Sequence, residues 1–159
     1  MIREAITSDF DYIYSLYMHP QVNPFLLYEM MDSTAFKPIF DELLSKQVKY
    51  IFESDGKPVG MFKLIPLQHR NEHVSYLGGV AIDPAFGRKG YGLIMLNDII
   101  DYAKAKGFLR VELSVATSNE KAIRLYEKVG FEREGVFRKY SYLKSEDRYI
   151  DEVFMAWIA

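Results

Sequence analysis

Ile82-Asp83-Pro84-Ala85-Phe86-Gly87-Arg88-Lys89-Gly90-Tyr91-Gly92-Leu93 is the stretch from which the rest of the chain is read. The apolar run Leu77 to Ile82 leading into it predicts a strand, and Pro84 ends that strand. Gly87, Gly90 and Gly92 follow, with the cations Arg88 and Lys89 between the first two. An amphipathic pattern then runs to Lys106. A strand, a glycine turn and a helix start in that order make an anion site. The first N–H groups of a helix lack intrahelical partners, and the helix dipole adds partial positive charge there. Glycine lets that backbone approach a ligand with no Cβ in the way. The guest so implied is a phosphate or pyrophosphate. A tight strand-to-helix turn with solvated charges explains the same residues as well.

The chain has 159 residues, enough for one domain with its own core and short for two. Net charge is −2, so no global basic field marks a nucleic-acid binder, and Arg88 and Lys89 are a local feature. Twelve Tyr and eleven Phe suit a wide sheet or a substrate cleft, and equally a tyrosine-rich core and rim. There is no cysteine, which excludes disulfides, thiolate metal sites and a Cys nucleophile. Met1-Ile2-Arg3-Glu4-Ala5 opens no apolar signal region. No uncharged run approaches the roughly 18 residues a membrane span requires. A soluble, cytoplasmic protein is expected.

Working outward, Ile2 to Ile6 predicts a first strand, and Thr7-Ser8-Asp9 offers caps for a helix carrying Phe10, Ile13, Tyr14 and Tyr17. Gln21 to Met31 reads as a loop rich in large side chains, either a flap over the core or the wall of a substrate pocket. Ser33-Thr34 predicts the cap of a second helix. Lys49–Glu53 and Val59–Ile65 flank Ser54-Asp55-Gly56-Lys57-Pro58, a hairpin signal. His73 to Ile82 is the next strand, and Gly78-Gly79 inside it predicts a bulge or a close backbone approach. After the central stretch, Leu93, Leu96, Ile99, Ile100 and Ala103 mark one helix face, and Gly107 ends that helix. Leu109 to Val115 alternates as a strand. Thr117-Ser118-Asn119-Glu120 matches a capping box before Ala122, Leu125, Tyr126 and Val129. Glu132–Leu143 and Arg148–Ile158 predict a closing pair of strands. The order β α α β β β α β α β β gives a mixed sheet, parallel in the middle and antiparallel on the flanks, with helices on its faces.

The chemistry narrows by exclusion. His19, His69 and His73 show no metal-ligand spacing. No Gly-x-Ser-x-Gly elbow, Walker lysine or dinucleotide fingerprint is present. What remains is a phosphate cradle, followed one strand later by a helix carrying Asn119 and Tyr126, about 10 Å apart along its axis. Each also has a plain reading, Asn119 as a helix start and Tyr126 as a core-rim aromatic.

The segment Gly87-Arg88-Lys89-Gly90-Tyr91-Gly92, followed by Asn119-Glu120-Lys121-Ala122-Ile123-Arg124-Leu125-Tyr126-Glu127-Lys128-Val129-Gly130-Phe131, resembles the GNAT superfamily of acetyl-CoA-dependent N-acetyltransferases. The second motif is the more specific, and the element order agrees from Ile2 to Ile158. The ending Tyr149 to Ala156 further resembles a bacterial subgroup that acetylates small amines and free amino acids. The resemblance implies an α/β (α+β) fold: one domain over residues 1–159, with a mostly antiparallel sheet of about seven strands, a central splayed parallel pair and about four flanking helices. It implies acetyl-CoA as co-substrate and no metal. Backbone amides from Gly87 to Gly92 (Gly87, Arg88, Lys89, Gly90, Tyr91, Gly92) would hold the CoA pyrophosphate, with the Arg88 and Lys89 side chains assisting. Val80, Ala81 and Ile82 would pair with pantetheine like an added strand. Asn119 would hydrogen-bond that arm, and Tyr126 would protonate the leaving thiolate as general acid.

Two departures stand out. The family usually has Gln or Arg three residues before the glycine at position 90, and this chain has Gly87. Related sequences often place an acid near position 76, and this chain has Tyr76, with no carboxylate between His73 and Ile82. Glu112 is the named candidate base, with Glu72, Tyr76 or a water chain as alternatives. Phe25, Tyr28, Tyr76 and Tyr140 are the candidate acceptor-binding residues. The expected reaction is transfer of acetyl to the primary amine of an amino acid, polyamine or amine antibiotic. A peptide N-terminus, or a non-catalytic acetyl-CoA sensor, is the alternative. The aromatics of the last two strands would suit a homodimer contact.

Overall fold

The computed structural model describes residues 1–159. Seven strands and four helices follow in the order β1 (Ile2–Glu4), α1 (Phe10–Tyr17), α2 (Ser33–Ser45), β2 (Lys49–Ser54), β3 (Lys57–Pro66), β4 (Val74–Ile82), α3 (Tyr91–Ala105), β5 (Arg110–Ala116), α4 (Glu120–Lys128), β6 (Glu132–Leu143) and β7 (Arg148–Ile158). They make one seven-stranded sheet in the spatial order β1-β2-β3-β4-β5-β7-β6. This is the mixed, mostly antiparallel α/β architecture that the element order predicts. No helix is long and apolar enough to cross a membrane.

The only parallel pair, β4 with β5, is short. Val74, Ser75 and Tyr76 lie opposite Arg110, Val111 and Glu112, and the ladder stops there. Beyond Tyr76 the two strands splay. From Leu77 to Ile82, β4 therefore presents an unpaired backbone edge to the gap. Its other edge stays paired to β3, except for a register shift between Met61 and Lys63. That shift is the bulge expected at Gly78-Gly79, and Gly79 takes the left-handed conformation at φ +56°. The extra residue bends β4 away from β5.

Each face of the sheet has its own core. On one, Met95, Leu96, Ile99 and Ala103 of α3 and Ile123 and Tyr126 of α4 pack on Leu77, Val111, Leu113 and Val115. On the other, Ile13, Leu16 and Tyr17 of α1 and Phe36 and Phe40 of α2 cover Ile51, Met61 and Ala81. Among these, each buried Val, Leu, Ile, Met or Phe side chain contributes roughly 1.5–3 kcal/mol. The cover by α1 and α2 ends before β5 and β7, so the second face is left open over that half of the sheet.

Three local expectations are corrected. The cap of α2 is Asp32, whose carboxylate accepts from Ala35 N–H, and not Ser33 or Thr34. Asp9 does not cap α1; it pairs with Arg3 at 2.7 Å and accepts from Ile6 N–H. The start of α4 is capped by Asn119 itself, which accepts from Ala122 N–H, with no Thr117–Glu120 capping box. The hairpin turn holds Asp55 and Gly56 both left-handed, at φ +52° and +72°, as a type I′ turn requires. Gly107 and Gly130 close α3 and α4 at φ +89° and +102°, as Gly107 was expected to do.

Candidate active site

Two clefts meet at the splay. The larger, about 520 Å³, runs between β4 and the starts of α3 and α4. Its walls include Val80, Ala81, Ile82, Gly87, Arg88, Gly90, Tyr91, Gly92 and Tyr126. The smaller, about 270 Å³, lies on the open half of the sheet under the Asn23–Glu29 loop, with Tyr140, Ser141 and Glu152 on its far wall. Asn119 lines both. Asn119 is the one residue common to both linings.

The backbone shapes the larger cleft. Arg88 and Gly90 are both left-handed, at φ +61° and +79°. Such alternation turns successive N–H groups into one concavity that favours an anion. Gly90 is the residue before the first turn of α3, and a Cβ there would meet nothing within 4 Å. Its glycine serves the conformation and leaves room in front of the helix start. Gly92 has a different reason: a Cβ would lie 3.0 Å from Leu125 Cδ2, so its absence lets α4 approach α3. An anion nest at the helix end and an unpaired strand edge at the other fit an elongated ligand with a phosphate group and an amide-bearing arm. Those are the features of acetyl-CoA. Asn119 spends its Oδ1 on the α4 cap and keeps its NH₂ free to donate into the cleft.

Tyr126 sits at the inner end of this cleft, packed edge-on against Phe131. Burial, with the nearby Tyr76 hydroxyl, pushes its pKa well up. It therefore stays protonated across the ordinary pH range. Tyr76 and Ser114 face each other across the top of the splay with hydroxyls 3.4 Å apart. Burial raises Tyr76 as well; Ser114 pulls the other way by hydrogen bonding, while Glu152 and Tyr140 add to the rise through their charges. Tyr126 lines the larger cleft, and Tyr140 and Glu152 the smaller; Tyr76 lines neither but lies near enough to all three for their charges to act on one another.

The expected site residues are placed as follows. Val80, Ala81, Ile82, Gly87, Arg88, Gly90, Tyr91, Gly92, Asn119 and Tyr126 share the larger cleft. Lys89 does not line it; its ammonium lies 5.8 Å over the Phe86 ring. Phe25, Tyr28 and Tyr140 share the smaller cleft, whereas Tyr76, the fourth expected acceptor residue, lines neither cleft because it sits at the last paired position of β4 with β5. Glu112 is not brought to either. It sits where β4 and β5 are still paired, held at 2.8 Å by Arg110, which Glu134 grips in turn. The smaller cleft holds two carboxylates outside those expectations: Glu29, which accepts from Lys144 N–H, and Glu152. Glu152 lies on β7 opposite Ala116 of β5 and accepts a hydrogen bond from Ser141. One signal for it existed: Glu152 shares its strand face with Ile150 and Phe154, a charge in an apolar row.

Comparison with known proteins bears on the same residues. A model of the family described as acetyltransferase (GNAT) matches residues 10–131. An L-amino acid N-acetyltransferase of Escherichia coli, AaaT, is 29% identical over 162 residues, covering 98% of this chain and 96% of that protein. A [ribosomal protein bS18]-alanine N-acetyltransferase of Salmonella typhimurium is 39% identical over 64 residues, 40% of this chain and 43% of that protein. The chain spans less than half the length of several relatives it matches. Among solved structures, the spermidine N-acetyltransferase of Vibrio cholerae in complex with CoA and spermine superposes with a TM-score of 0.86 at 19% identity, over 99% of this chain and 94% of that one.

Proposed function

Because the chain belongs to the acetyltransferase (GNAT) family of acetyl-CoA-dependent transferases, we propose that residues 1–159 act as a single N-acetyltransferase domain that moves acetyl directly to the primary amine of a small molecule. The meeting of two clefts at Asn119 carries this reading. Acetyl-CoA supplies the acetyl group as a thioester. Amides from Gly87 to Gly92 hold its pyrophosphate, and the free edge of β4 at Val80 to Ile82 pairs with its extended arm. Asn119 donates its NH₂ to that arm. The acceptor amine enters under Phe25 and Tyr28. Glu152 takes the amine's proton, directly or through one water, as the amine attacks. Tyr126 keeps its own proton until the sulfur leaves and then delivers it there. One carboxylate and one phenol thus divide the proton traffic on either side of the transferred group.

Relatives acting on amino acids, on a ribosomal protein and on spermidine support an amine acceptor and leave its class open. The apolar walls of the smaller cleft favour a small acceptor with an apolar side chain; a peptide N-terminus is the second reading. The exposed Phe137, Tyr142 and Tyr149 on β6 and β7 support a homodimer, to be read by sedimentation. The deciding experiment is a CoA-release screen over amino acids, polyamines, aminoglycosides and short peptides. The chain has no cysteine, so a thiol reagent reads released CoA without a protein background. Acetyl-CoA binding with no release across the whole screen would instead make the protein a sensor.

A further inference from the structure

Two lysines are buried beneath the β4 bulge. Lys49 and Lys63 are 1% and 5% exposed and stand opposite each other in the β2–β3 register. Neither forms a salt bridge. Their polar contacts are tyrosine hydroxyls: Lys49 Nζ donates to Tyr17 at 2.9 Å, and Lys63 Nζ to Tyr28 at 3.4 Å. Both ammonium groups also lie over those rings, at 4.5 and 5.1 Å from the centroids. A buried cation is normally paired with an acid. Here two lysines share one buried site and neither has an acid partner.

The place explains the oddity. Lys63 lies opposite Gly78, and its Cε runs 3.6 Å from where a Gly78 Cβ would stand and 3.4 Å from a Gly79 Cβ. A Gly79 Cβ would also lie 2.9 Å from Tyr17 Oη and 3.4 Å from Lys49 Nζ. The two glycines therefore let the lysine chains lie across the bulge. Tyr28, the partner of Lys63, is itself a wall of the smaller cleft. The opposite wall carries Glu152. One end of that cleft thus carries Glu152, and the other, where the Glu29 carboxylate is turned to Lys144 N–H, is backed by two lysines, which matches a ligand with an amine and an acid.

We propose that Lys63, seconded by Lys49 and reached through the Tyr28 hydroxyl, receives a carboxylate on the acceptor, so that the enzyme selects amino acids over plain amines and polyamines. Rotation of the Tyr28 side chain opens Lys63 to the cleft, and the arriving carboxylate supplies the counter-charge the pair lacks. Burial pushes both amines below the ordinary lysine range, and for Lys49 the charge of Lys63 adds to this. A bound carboxylate reverses that effect. A polyamine would bring more positive charge to the same end and is disfavoured.

The inference rests on the smaller cleft being the acceptor site, and the test separates the two. L-leucine, L-methionine and L-phenylalanine are each compared with their carboxamides by CoA release. The amide's amine is the less basic and is more fully deprotonated, so amine chemistry alone favours the amide. The expected result is a kcat/KM at least about tenfold higher for the acid in one or more pairs, the value of one charge-assisted hydrogen bond. Lys63→Met brings the ratio to within about twofold of unity, chiefly through KM for the acid. Tyr28→Phe, a milder change, lowers the ratio in the same direction. In CoA-saturated protein, calorimetry should find N-acetyl-L-phenylalanine bound more tightly than its carboxamide. Amides used as well as acids by the wild type, or a ratio unmoved by both variants, overturns the carboxylate site and leaves the transferase standing. Tighter binding of the acid with no CoA release from any amine has the opposite meaning: the carboxylate site stands and the transferase falls.

Discussion

The two clefts that meet at Asn119 are built on opposite plans. The larger is mostly main chain: left-handed residues at Arg88 and Gly90, the start of α3, and the unpaired edge of β4. The smaller is mostly side chain, drawn from the Asn23–Glu29 loop, β5, β6 and β7. A main-chain site needs only one local stretch to have the right conformation. A side-chain site needs the whole sheet to bring four segments together. The first should therefore keep its ligand affinity through single side-chain changes, and the second should not.

The hardest test of that contrast is Glu152→Gln. If Glu152 takes the amine's proton, kcat/KM falls about 10²–10³-fold, while acetyl-CoA affinity from calorimetry stays unchanged. A loss below about threefold would move the base elsewhere, to a water chain. Tyr126→Phe comes next, about 10–100-fold in kcat, because a water can partly replace the phenol. Its pH profile is distinctive. Burial raises the Tyr126 pKa, so the protonated acid is the dominant form up to and beyond the ordinary tyrosine value. Wild-type kcat should accordingly show no descending limb from this group between about pH 8 and 10. A descending limb in that window that disappears in Tyr126→Phe would mean the hydroxyl titrates in the ordinary range.

Lys49→Met probes the buried lysine pair behind the side-chain cleft through stability. The Lys49 pKa is depressed in the folded protein. Between that value and the ordinary lysine value of about 10.4, the unfolded chain binds a proton the native state does not. In that window stability rises with pH. Replacing the lysine by an apolar side chain of similar volume should then raise stability by about 1–3 kcal/mol at pH 6, with the gain shrinking toward pH 10. Equal gains at both pH values, in urea titrations, would mean that Lys49 is fully charged in the fold.

How much of this could be read in advance follows the same division. The turn from Gly87 to Gly92, the Gly78-Gly79 bulge and the Gly107 helix end are local: each glycine reports a backbone state its neighbours cannot adopt. The element order was legible for the same reason. Glu112 misled because spacing along β5 says which face a residue takes, not which partner it meets; Arg110 and Glu134 claim it. Glu152, Lys49 and Lys63 gain their meaning from neighbours far away in sequence. Their one local trace is a charge on the apolar phase of a strand: Lys49 beside Ile51, Lys63 between Met61 and Ile65, Glu152 between Ile150 and Phe154. The caps missed by a residue or two at Asp32 and Asn119 have a simpler cause, since Asp, Ser, Thr and Asn compete at adjacent positions with similar energies.

The smallest effects are expected at the two cations of the turn, where the contrast is most easily overturned. Lys89 lies over Phe86 and outside the cleft, while Arg88 lines it from a left-handed backbone that a side chain adopts at a cost of about 1 kcal/mol. Gly87, just before them, offers no side chain. If the amides and the helix start do the holding, Lys89→Ala should change acetyl-CoA affinity less than about twofold, and Arg88→Ala less than about fivefold, a surface contact's worth. Salt should weaken each variant slightly less than the wild type, because each has lost one screened attraction. Arg88→Gly adds a second reading. It removes the same charge and also relieves the left-handed strain, so its affinity should match that of Arg88→Ala while its melting temperature lies higher. A loss beyond about a hundredfold in either alanine variant would make this a side-chain grip after all, and the division between the two clefts would go with it.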